Sequence, residues 1–411
     1  MIRTLSSTGL AVVLSLAVLM TSVDQYLFVA YGIPPLVIQV AVLGILLLHL
    51  TLGLFGHARI AITRPQLACY IILYFYFFWT AVSYLYAVPS EMIEEVLITR
   101  LKAAVFLFLI AVALSRADVR AAFALACVPL VVLATVLNLF DFVSPTFSEV
   151  PGRSAGFYLN PNVSGSALDA MPMMAATVLP AALNFAVLGA AAVGLLFTFS
   201  RSGWIIFLFG VLGVALLGRL GGGRARFVFL AIVAFLFGAL FLAYWSGELY
   251  LYMSQSSLGE FLDPNTLARL GARGVALDDY SSLERNDVAS KGFEAFLEAP
   301  LLGHGVGFTY VWGDRTSTHN MVLLLGAELG LPGILSYLGL FAVLITQSRG
   351  VPRLLAVMLL VDGMFTHNQL DFLTSIIPLA FVIASLQDRG VATRGIHGTP
   401  PATAVPPPRR S

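Results

Sequence analysis

The chain has 411 residues, of which 59% are hydrophobic and 11% are charged, and its mean hydropathy is +0.90. Soluble domains are about 45–50% apolar and about 25% charged, so this composition excludes a soluble enzyme and a secreted disulfide scaffold. The formal net charge of +1 also excludes a protein that binds nucleic acid through a basic surface.

The apolar runs predict an all-α, polytopic membrane protein. A helix needs about 20 apolar residues to cross a bilayer, so the chain has material for roughly ten to twelve such helices. The runs are continuously apolar, which favours helices over the alternating pattern of strands. Breaks at Gly, Pro or charged residues predict twelve spans, at about 8–30, 34–56, 66–87, 98–115, 119–142, 163–181, 184–199, 202–218, 227–245, 318–346, 351–366 and 370–387.

The positions of Arg and Lys in the connections predict that both termini are cytoplasmic. With Arg3 inside, alternate short loops carry arginine, whereas acidic residues occur in the opposite loops. The inner arginines are Arg59, Arg64, Arg116, Arg120, Arg219, Arg224, Arg226, Arg349 and Arg353. Arg100 and Lys102, at the outer end of the fourth span, fit this topology less well. Pairing with the nearby glutamates of residues 91–95 would account for them.

Two regions are not predicted to span the membrane, so residues 1–389 form one helical domain with a long outer loop, followed by a tail. The loop covers about residues 246–317, and connections of such length are usually functional. Within it, Ser282–Ala299 predicts an amphipathic helix that lies on the membrane surface or caps the bundle. Its apolar face would carry Ala289, Phe293, Phe296 and Leu297. The Pro-rich tail, residues 390–411, is predicted to be disordered.

Three arginines lie on the predicted outer side, where the positive-inside rule disfavours them. Arg153 lies before the sixth span, Arg201 lies in a tight turn between two spans, and Arg285 lies at the start of the amphipathic helix. Each one alone could be an interfacial arginine that reaches a lipid phosphate. Together they could form a clamp for a lipid diphosphate, because guanidinium groups bind phosphate through paired hydrogen bonds and stay charged.

A glycine-rich run, Gly303–Gly307, is followed by Thr318-His319-Asn320 and a long apolar helix. Ser317 or Thr318 is the expected N-cap, which would place His319 and Asn320 in the first helical turn. The partial positive charge of a helix N-terminus disfavours imidazolium, so His319 would be neutral, as a general base must be. The alternative is a structural histidine at the helix end. The glycines resemble a dinucleotide fingerprint only superficially, because no strand precedes them.

Other polar residues lie within or beside the last spans. His367, close to Asp371, either lines the same cavity as His319 or is interfacial. Glu328, Asp169 and Asp362 lie inside spans, where a carboxylate is costly; each is either functional or a protonated or hydrogen-bonded residue of the bundle. No set of His, Cys, Asp and Glu has the spacing of metal ligands.

With these motifs in this order, the chain resembles the O-antigen ligase-like family of bacterial membrane glycosyltransferases. This family includes O-antigen ligases and exopolysaccharide polymerases. The resemblance covers about residues 140–375, and its order and the long loop before the histidine fit the family. The matching pieces are Gly152–Asn162, Ser200–Gly203, Arg285 ahead of Pro300–Gly305, and Thr318–Asn320 leading into Glu328-Leu329-Gly330.

The resemblance implies a GT-C-like bundle in the bacterial inner membrane that needs no metal or other cofactor. It would transfer a glycan from undecaprenyl diphosphate to an acceptor hydroxyl at the periplasmic face. His319 would be the catalytic residue, and Arg201 and Arg285 would bind the diphosphate. The candidate supporting residues are Arg153, Asn320, His367 and Glu328.

The acceptor distinguishes two activities within this family. A ligase, which we favour, uses lipid A–core, whereas a polymerase uses another carrier-linked repeat unit. A secondary transporter or lipid-linked sugar flippase is the alternative from another class. Such a protein should concentrate polar groups near the middle of the membrane, whereas the arginines and the histidine here are predicted to lie at one face.

Overall fold

The computed structural model describes residues 5–55, 62–150, 152–221, 246–256, 280–313 and 318–386, with single residues at 223, 227, 231, 235, 239 and 242. The regular secondary structure of this part is helical throughout, and no strand occurs in it. The predicted all-α class is therefore confirmed. The Pro-rich tail and most of the predicted span 227–245 lie outside the described residues.

Fifteen helices occur in the described part of the chain, apart from short 3-10 turns at Tyr84–Tyr86 and Gly156–Tyr158. In chain order they are α1 (Ser7–Met20), α2 (Val23–Tyr31), α3 (Pro35–Phe55), α4 (Arg64–Ser83), α5 (Glu91–Leu114), α6 (Ala117–Val143), α7 (Pro161–Ala176), α8 (Ala181–Thr198), α9 (Arg201–Leu216), α10 (Glu248–Gln255), α11 (Tyr280–Glu298), α12 (Phe308–Val311), α13 (Met321–Gln347), α14 (Gly350–Asp362) and α15 (Leu373–Ala384).

Six of the described helices are long and apolar enough to cross a membrane: α3, α4, α5, α6, α8 and α13. Helices α1 and α2 would make a seventh span as one pair bent by 57°, and α9 and α15 are shorter apolar helices. Every predicted span except 227–245 overlaps a described helix, but the predicted span 8–30 is divided between α1 and α2. The chain is a multi-pass membrane protein, and the total of twelve spans stays a prediction.

Small and polar residues bring α6, α7 and α8 close together. A Cβ atom on Gly194 of α8 would lie 2.7 Å from Thr135 Oγ1 of α6, so only glycine allows this approach. Asn138 of α6 donates to the Gly194 carbonyl at 3.1 Å and to Ser164 Oγ of α7 at 3.0 Å. Lipid tails are as apolar as the side chains, so the hydrophobic effect does not drive helices together in a membrane. Close backbone packing and hydrogen bonds between helices hold them together instead.

The long helix α13 is broken at Gly330, whose backbone is non-helical (φ 65°, ψ −156°). Such a break leaves carbonyl groups without their helical partners, and these must be paired inside a membrane protein. The glycine-rich run supplies donors: His304 N donates to Ala327 O and Gly305 N to Glu328 O, both at 2.9 Å. Trp79 of α4 donates to the next carbonyl, Leu329 O, at 3.1 Å.

The glycines of this run are explained by its close packing. Gly303, Gly305 and Gly307 all have positive φ, between 72° and 99°. A Cβ atom on Gly305 would lie 2.7 Å from the Ala87 Cα atom, and one on Gly307 would lie 3.0 Å from the Ile93 side chain. A Cβ atom on Gly303 would meet the Glu328 backbone, so the run packs between the broken helix α13 and the residues around the start of α5.

Helix α11 crosses the start of α13. Its buried residues include Val288, Gly292 and Ala295, and a Cβ atom on Gly292 would lie 2.8 Å from Thr318 Cγ2. Of the predicted apolar face, Ala289 and Phe296 are half-buried, whereas Phe293 and Leu297 are 52% and 59% exposed. The placement of this face on the membrane surface or against the bundle stays a prediction.

Candidate active site

The start of α9 and the start of α7 lie at the same end of the bundle. Ser200, which precedes α9, donates from its hydroxyl to Asn162 Oδ1 in the first turn of α7, at 3.3 Å. One turn further along α7, the Ser166 hydroxyl donates to Asp362 Oδ1, at 3.0 Å. Asp362 is the last residue of α14, so α14 ends where α7 and α9 begin.

The start of α13 lies at this end too. Met321, its first residue, donates its backbone N–H to the Gly363 carbonyl, which follows α14, at 2.8 Å. This chain of hydrogen bonds places Arg201, the first residue of α9, and His319, which precedes α13, at one end of the bundle. Two residues separated by more than a hundred positions in the sequence are thus brought to the same face.

Arg201 begins α9 immediately after its N-cap, Ser200, whose hydroxyl accepts from Gly203 N at 3.3 Å. The predicted turn between two helices at this point is present, since α8 ends at Thr198. A cation at a helix N-terminus is opposed by the partial positive charge of the helix dipole, so its position costs stability. The same two charges together attract an anion, which is what a diphosphate site requires.

Arg153 lies behind this turn. Its side chain is buried, and it donates from Nε to Thr198 O at 2.8 Å and from Nη2 to Asn162 Oδ1 at 2.9 Å. Asn162 also accepts from Ser200, so Arg153 connects the end of α8 to the start of α7 and supports the segment that carries Arg201. This geometry suits a positioning residue better than a direct phosphate ligand.

The structure corrects the predicted start of α13. Asn320 is the N-cap, and its Oδ1 accepts from Val322 N at 2.9 Å and Leu323 N at 3.1 Å. His319 therefore precedes the cap and is not in the first turn, and its φ is +50°. Asparagine is among the best N-cap residues, and here it displaces Thr318 from that role. A left-handed histidine costs about 1–3 kcal/mol, a strain that often accompanies functional positions.

His367 lies directly beside His319. The two ring centroids are 5.1 Å apart with the planes at 79°, and the centroid of Tyr310 lies 6.4 Å from that of His367. Burial lowers the pKa of His367 to about 3, with smaller contributions from the charges of His319 and Arg100. His367 is thus neutral near pH 7, and of the two predicted alternatives the geometry favours the one that places it with His319.

A buried ionic cluster lies next to this histidine pair. Arg100 Nη1 of α5 is 2.6 Å from Glu328 Oε2 of α13, and Arg100 Nε is 3.3 Å from Asp371 Oδ1. Thr309 Oγ1 donates to the other Glu328 oxygen at 2.8 Å. The expected pairing of Arg100 with residues 91–95 is wrong. In the sequence, Arg100 was conspicuous because it lies at the outer end of a predicted span, where arginine is disfavoured. Its partners could not be recognised there, because they lie more than two hundred residues away.

Arg285 belongs to α11, and its side chain lies outside the described residues. It precedes Gly292, which contacts Thr318, by seven residues, or about 10 Å along the helix. The segment that carries Arg285 therefore crosses close to His319.

Two further carboxylates line a small cavity between α7, α9, α14 and α15. These are Asp169 and Asp362, and the cavity also contains Ser166, Thr374 and Ser375. Both Asp169 oxygens are buried and have no hydrogen-bond partner within the part of the chain that the structure describes. Among those same residues, no group of three or more His, Cys, Asp or Glu side chains is arranged to hold a metal ion.

Residues 186–338 match the model of the family described as O-Antigen ligase. This segment of the chain is similar to that family. The resemblance identified from the motifs is thus confirmed, and the match spans Arg201, Arg285, His319 and Glu328, whereas Gly152–Asn162 precede it. No curated protein matches the chain. Together with the apolar helices, the O-antigen ligase match supports a membrane glycosyltransferase-like role.

Proposed function

We propose that the protein transfers a glycan from undecaprenyl diphosphate to a hydroxyl of lipid A–core at the periplasmic face of the bacterial inner membrane. One observation carries this proposal: Arg201 and His319 lie at the same end of the bundle, and both belong to the segment that matches O-antigen ligase. A cation for the leaving diphosphate and a base for the acceptor hydroxyl are the two groups that the reaction needs.

In the proposed reaction, the acceptor oxygen forms a bond to the anomeric carbon of the glycan while the bond from that carbon to the diphosphate oxygen breaks. His319 accepts the hydroxyl proton as the new bond forms. Undecaprenyl diphosphate leaves with the bonding electron pair. Direct displacement inverts the anomeric configuration, so a product with retained configuration would exclude this step.

Arg201 and Arg285 would stabilise the negative charge that develops on the leaving diphosphate. Arg201 has a helix N-terminus behind it, which adds partial positive charge without any reorganisation during the reaction. Arg285 would come from α11, which lies across the start of α13. Arg153 would hold the turn before Arg201 in place.

The deciding experiment supplies the purified full-length protein, in lipid nanodiscs, with a carrier-linked glycan and one of two acceptors. Extension of lipid A–core is the expected result. Extension of a carrier-linked repeat instead would make the protein a polymerase of the same family. Transfer to neither acceptor would refute the proposal.

Three variants test the assigned roles in the same assay. We expect His319→Ala to abolish transfer while carrier binding persists. Arg201→Lys and Arg285→Lys should each lower the rate by about 10²-fold or more, because a forked donor becomes a point charge. The matched control is Arg353→Lys near the other end of α14, where Arg353 donates to Ser348 O. Wild-type rates in both site Lys variants would rule out the diphosphate clamp.

A further inference from the structure

We propose that His367 is a positioning residue whose ring stabilises the imidazolium of His319 as that histidine accepts the acceptor proton. This inference rests on the proposed function, because it assigns a partner to the proposed base. Its basis is the direct contact of the two rings, with 5.1 Å between the centroids and planes nearly perpendicular at 79°. In such an arrangement the edge of one ring points at the face of the other.

The loop that carries His367 is fixed at both ends. Gly363, at its start, accepts from Met321 N at 2.8 Å, so the loop is tied to the residue that follows the His319 segment. Beyond His367, Gln369 donates to Leu359 O at 2.6 Å and accepts from the Tyr337 hydroxyl at 2.8 Å. Two loops that carry histidines are thus held in register by bonds that do not involve the histidines.

We take the ring that presents its face in this contact to be that of His367, because the negative face of a neutral aromatic ring attracts and stabilises a forming imidazolium. A protonated His367 ring would instead repel the imidazolium of His319 and oppose its formation. His367 meets the first condition, since burial keeps its pKa far below neutrality. The contact is therefore weak while His319 is neutral and stronger when His319 is charged, which is the difference that raises the basicity of a catalytic base.

Other titratable and charged groups lie near His367. Within the described part of the chain, Tyr310 lies beside it and the charge of Arg100 disfavours its protonation. Arg100 is in turn paired with the carboxylates of Asp371 and Glu328. Tyr76 belongs to the same cluster as Arg100. None of them is exchanged in a His367 variant, so a shift in the pH profile of the variant reports on the ring itself.

The test compares His367→Phe with His367→Leu. Both side chains fill the space, but only Phe offers an aromatic face. The assay is the pH dependence of kcat/KM for transfer from the carrier-linked glycan, whose acid limb follows the pKa of the base. We expect Leu to move the acid limb to lower pH by about 0.5–1 unit and to lower the plateau about 3–10-fold, whereas Phe should retain both.

An unchanged acid limb in the Leu variant would overturn the inference, because a merely structural role would lower the rate without shifting the profile. A Phe variant that shifts as far as Leu would overturn it too, since a ring nitrogen and not the aromatic face would then matter. Thermal unfolding of both variants shows whether they are folded. Failure of the proposed function is recognised separately, as transfer that persists in His319→Ala.

Discussion

The bundle contains two groups of buried carboxylates, which differ in whether a basic residue lies beside them. Near the histidine pair, Glu328 and Asp371 lie at 2.6 and 3.3 Å from Arg100, which is fully buried. In the neighbouring cavity, Asp169 and Asp362 are close together with no basic residue among the side chains that line the cavity. The first group, which we name the Arg100 cluster, has a cation paired with both of its carboxylates. The second, which we name the Asp169 cavity, has no cation among its lining residues.

This difference indicates what each group contributes. A buried carboxylate without a counter-charge is so costly that it takes up a proton, so we expect Asp169 to be neutral. The Arg100 cluster pairs its carboxylates with a guanidinium and joins α5, α13, the α12 segment and the loop before α15. These are the segments around His319 and His367, so the charged cluster fixes the geometry of the proposed site. In the Asp169 cavity, by contrast, Ser166 donates a hydrogen bond to Asp362, which connects α7 to α14.

Replacing Arg100 by Met should have the largest effect on folding. It leaves two carboxylates buried without a cation, and breaking a buried ion pair in this way costs about 3–5 kcal/mol. Thermal unfolding in nanodiscs measures the loss. The control is Lys102→Met, two residues along the same helix at a half-buried position, which should change stability little. Equal unfolding temperatures for the two variants would contradict the importance of the Arg100 cluster.

Glu328→Gln should have a smaller effect, about 2–3 kcal/mol, because Asp371 still neutralises Arg100 and the amide oxygen can still accept from Thr309. Combining it with Arg100→Met gives a double-mutant cycle. We expect the double variant to be less destabilised than the sum of the single variants, since the two changes remove the same ion pair. Strict additivity would show that the two residues do not act as a unit.

Much of the fold follows from composition and local patterns. Continuous apolar runs predict where most of the described helices lie, but not the bend between α1 and α2 or the break at Gly330. Pro161 after Asn160 marks the start of α7, where Asn160 Oδ1 accepts from Asn162 N. These features depend on residues that are neighbours in the chain, so they can be read without a structure. The motif around His319 likewise identifies the end of the bundle where chemistry is expected.

Features that depend on distant contacts could not be predicted. The partners of Arg100 come from α13 and from the loop before α15, and nothing local connects them. The buried face of α11 depends on how closely α13 approaches it, which selects Gly292 over the larger Phe293. The N-cap of α13 was misplaced because Thr318 and Asn320 are both good caps, and only packing distinguishes them.

His367, which lies near the Arg100 cluster, should also make the stability of the protein depend on pH. Its pKa is about 3 in the folded protein, well below the ordinary value of 6.5. The unfolded chain binds more protons between these values, so stability falls as pH decreases from 6.5 toward 3. At pH 5 the loss is about 2 kcal/mol. His367→Phe should reduce this slope in unfolding measured between pH 7 and 5, and an unchanged slope would show that His367 is not the buried neutral group.

The smallest effect on stability is expected for Asp169→Asn, which tests whether the carboxylate in the Asp169 cavity is neutral. If Asp169 is already neutral, the amide has nearly the same size and no charge is removed, so stability should change by less than about 1 kcal/mol. Unfolding of the variant is compared with that of Asp362→Asn, which alters the contact with Ser166 as well. A large stabilisation by Asp169→Asn would mean that the native carboxylate is charged and unpaired. Asp169 would then be a strained group comparable to those at the proposed site, and the contrast between the two regions would fail.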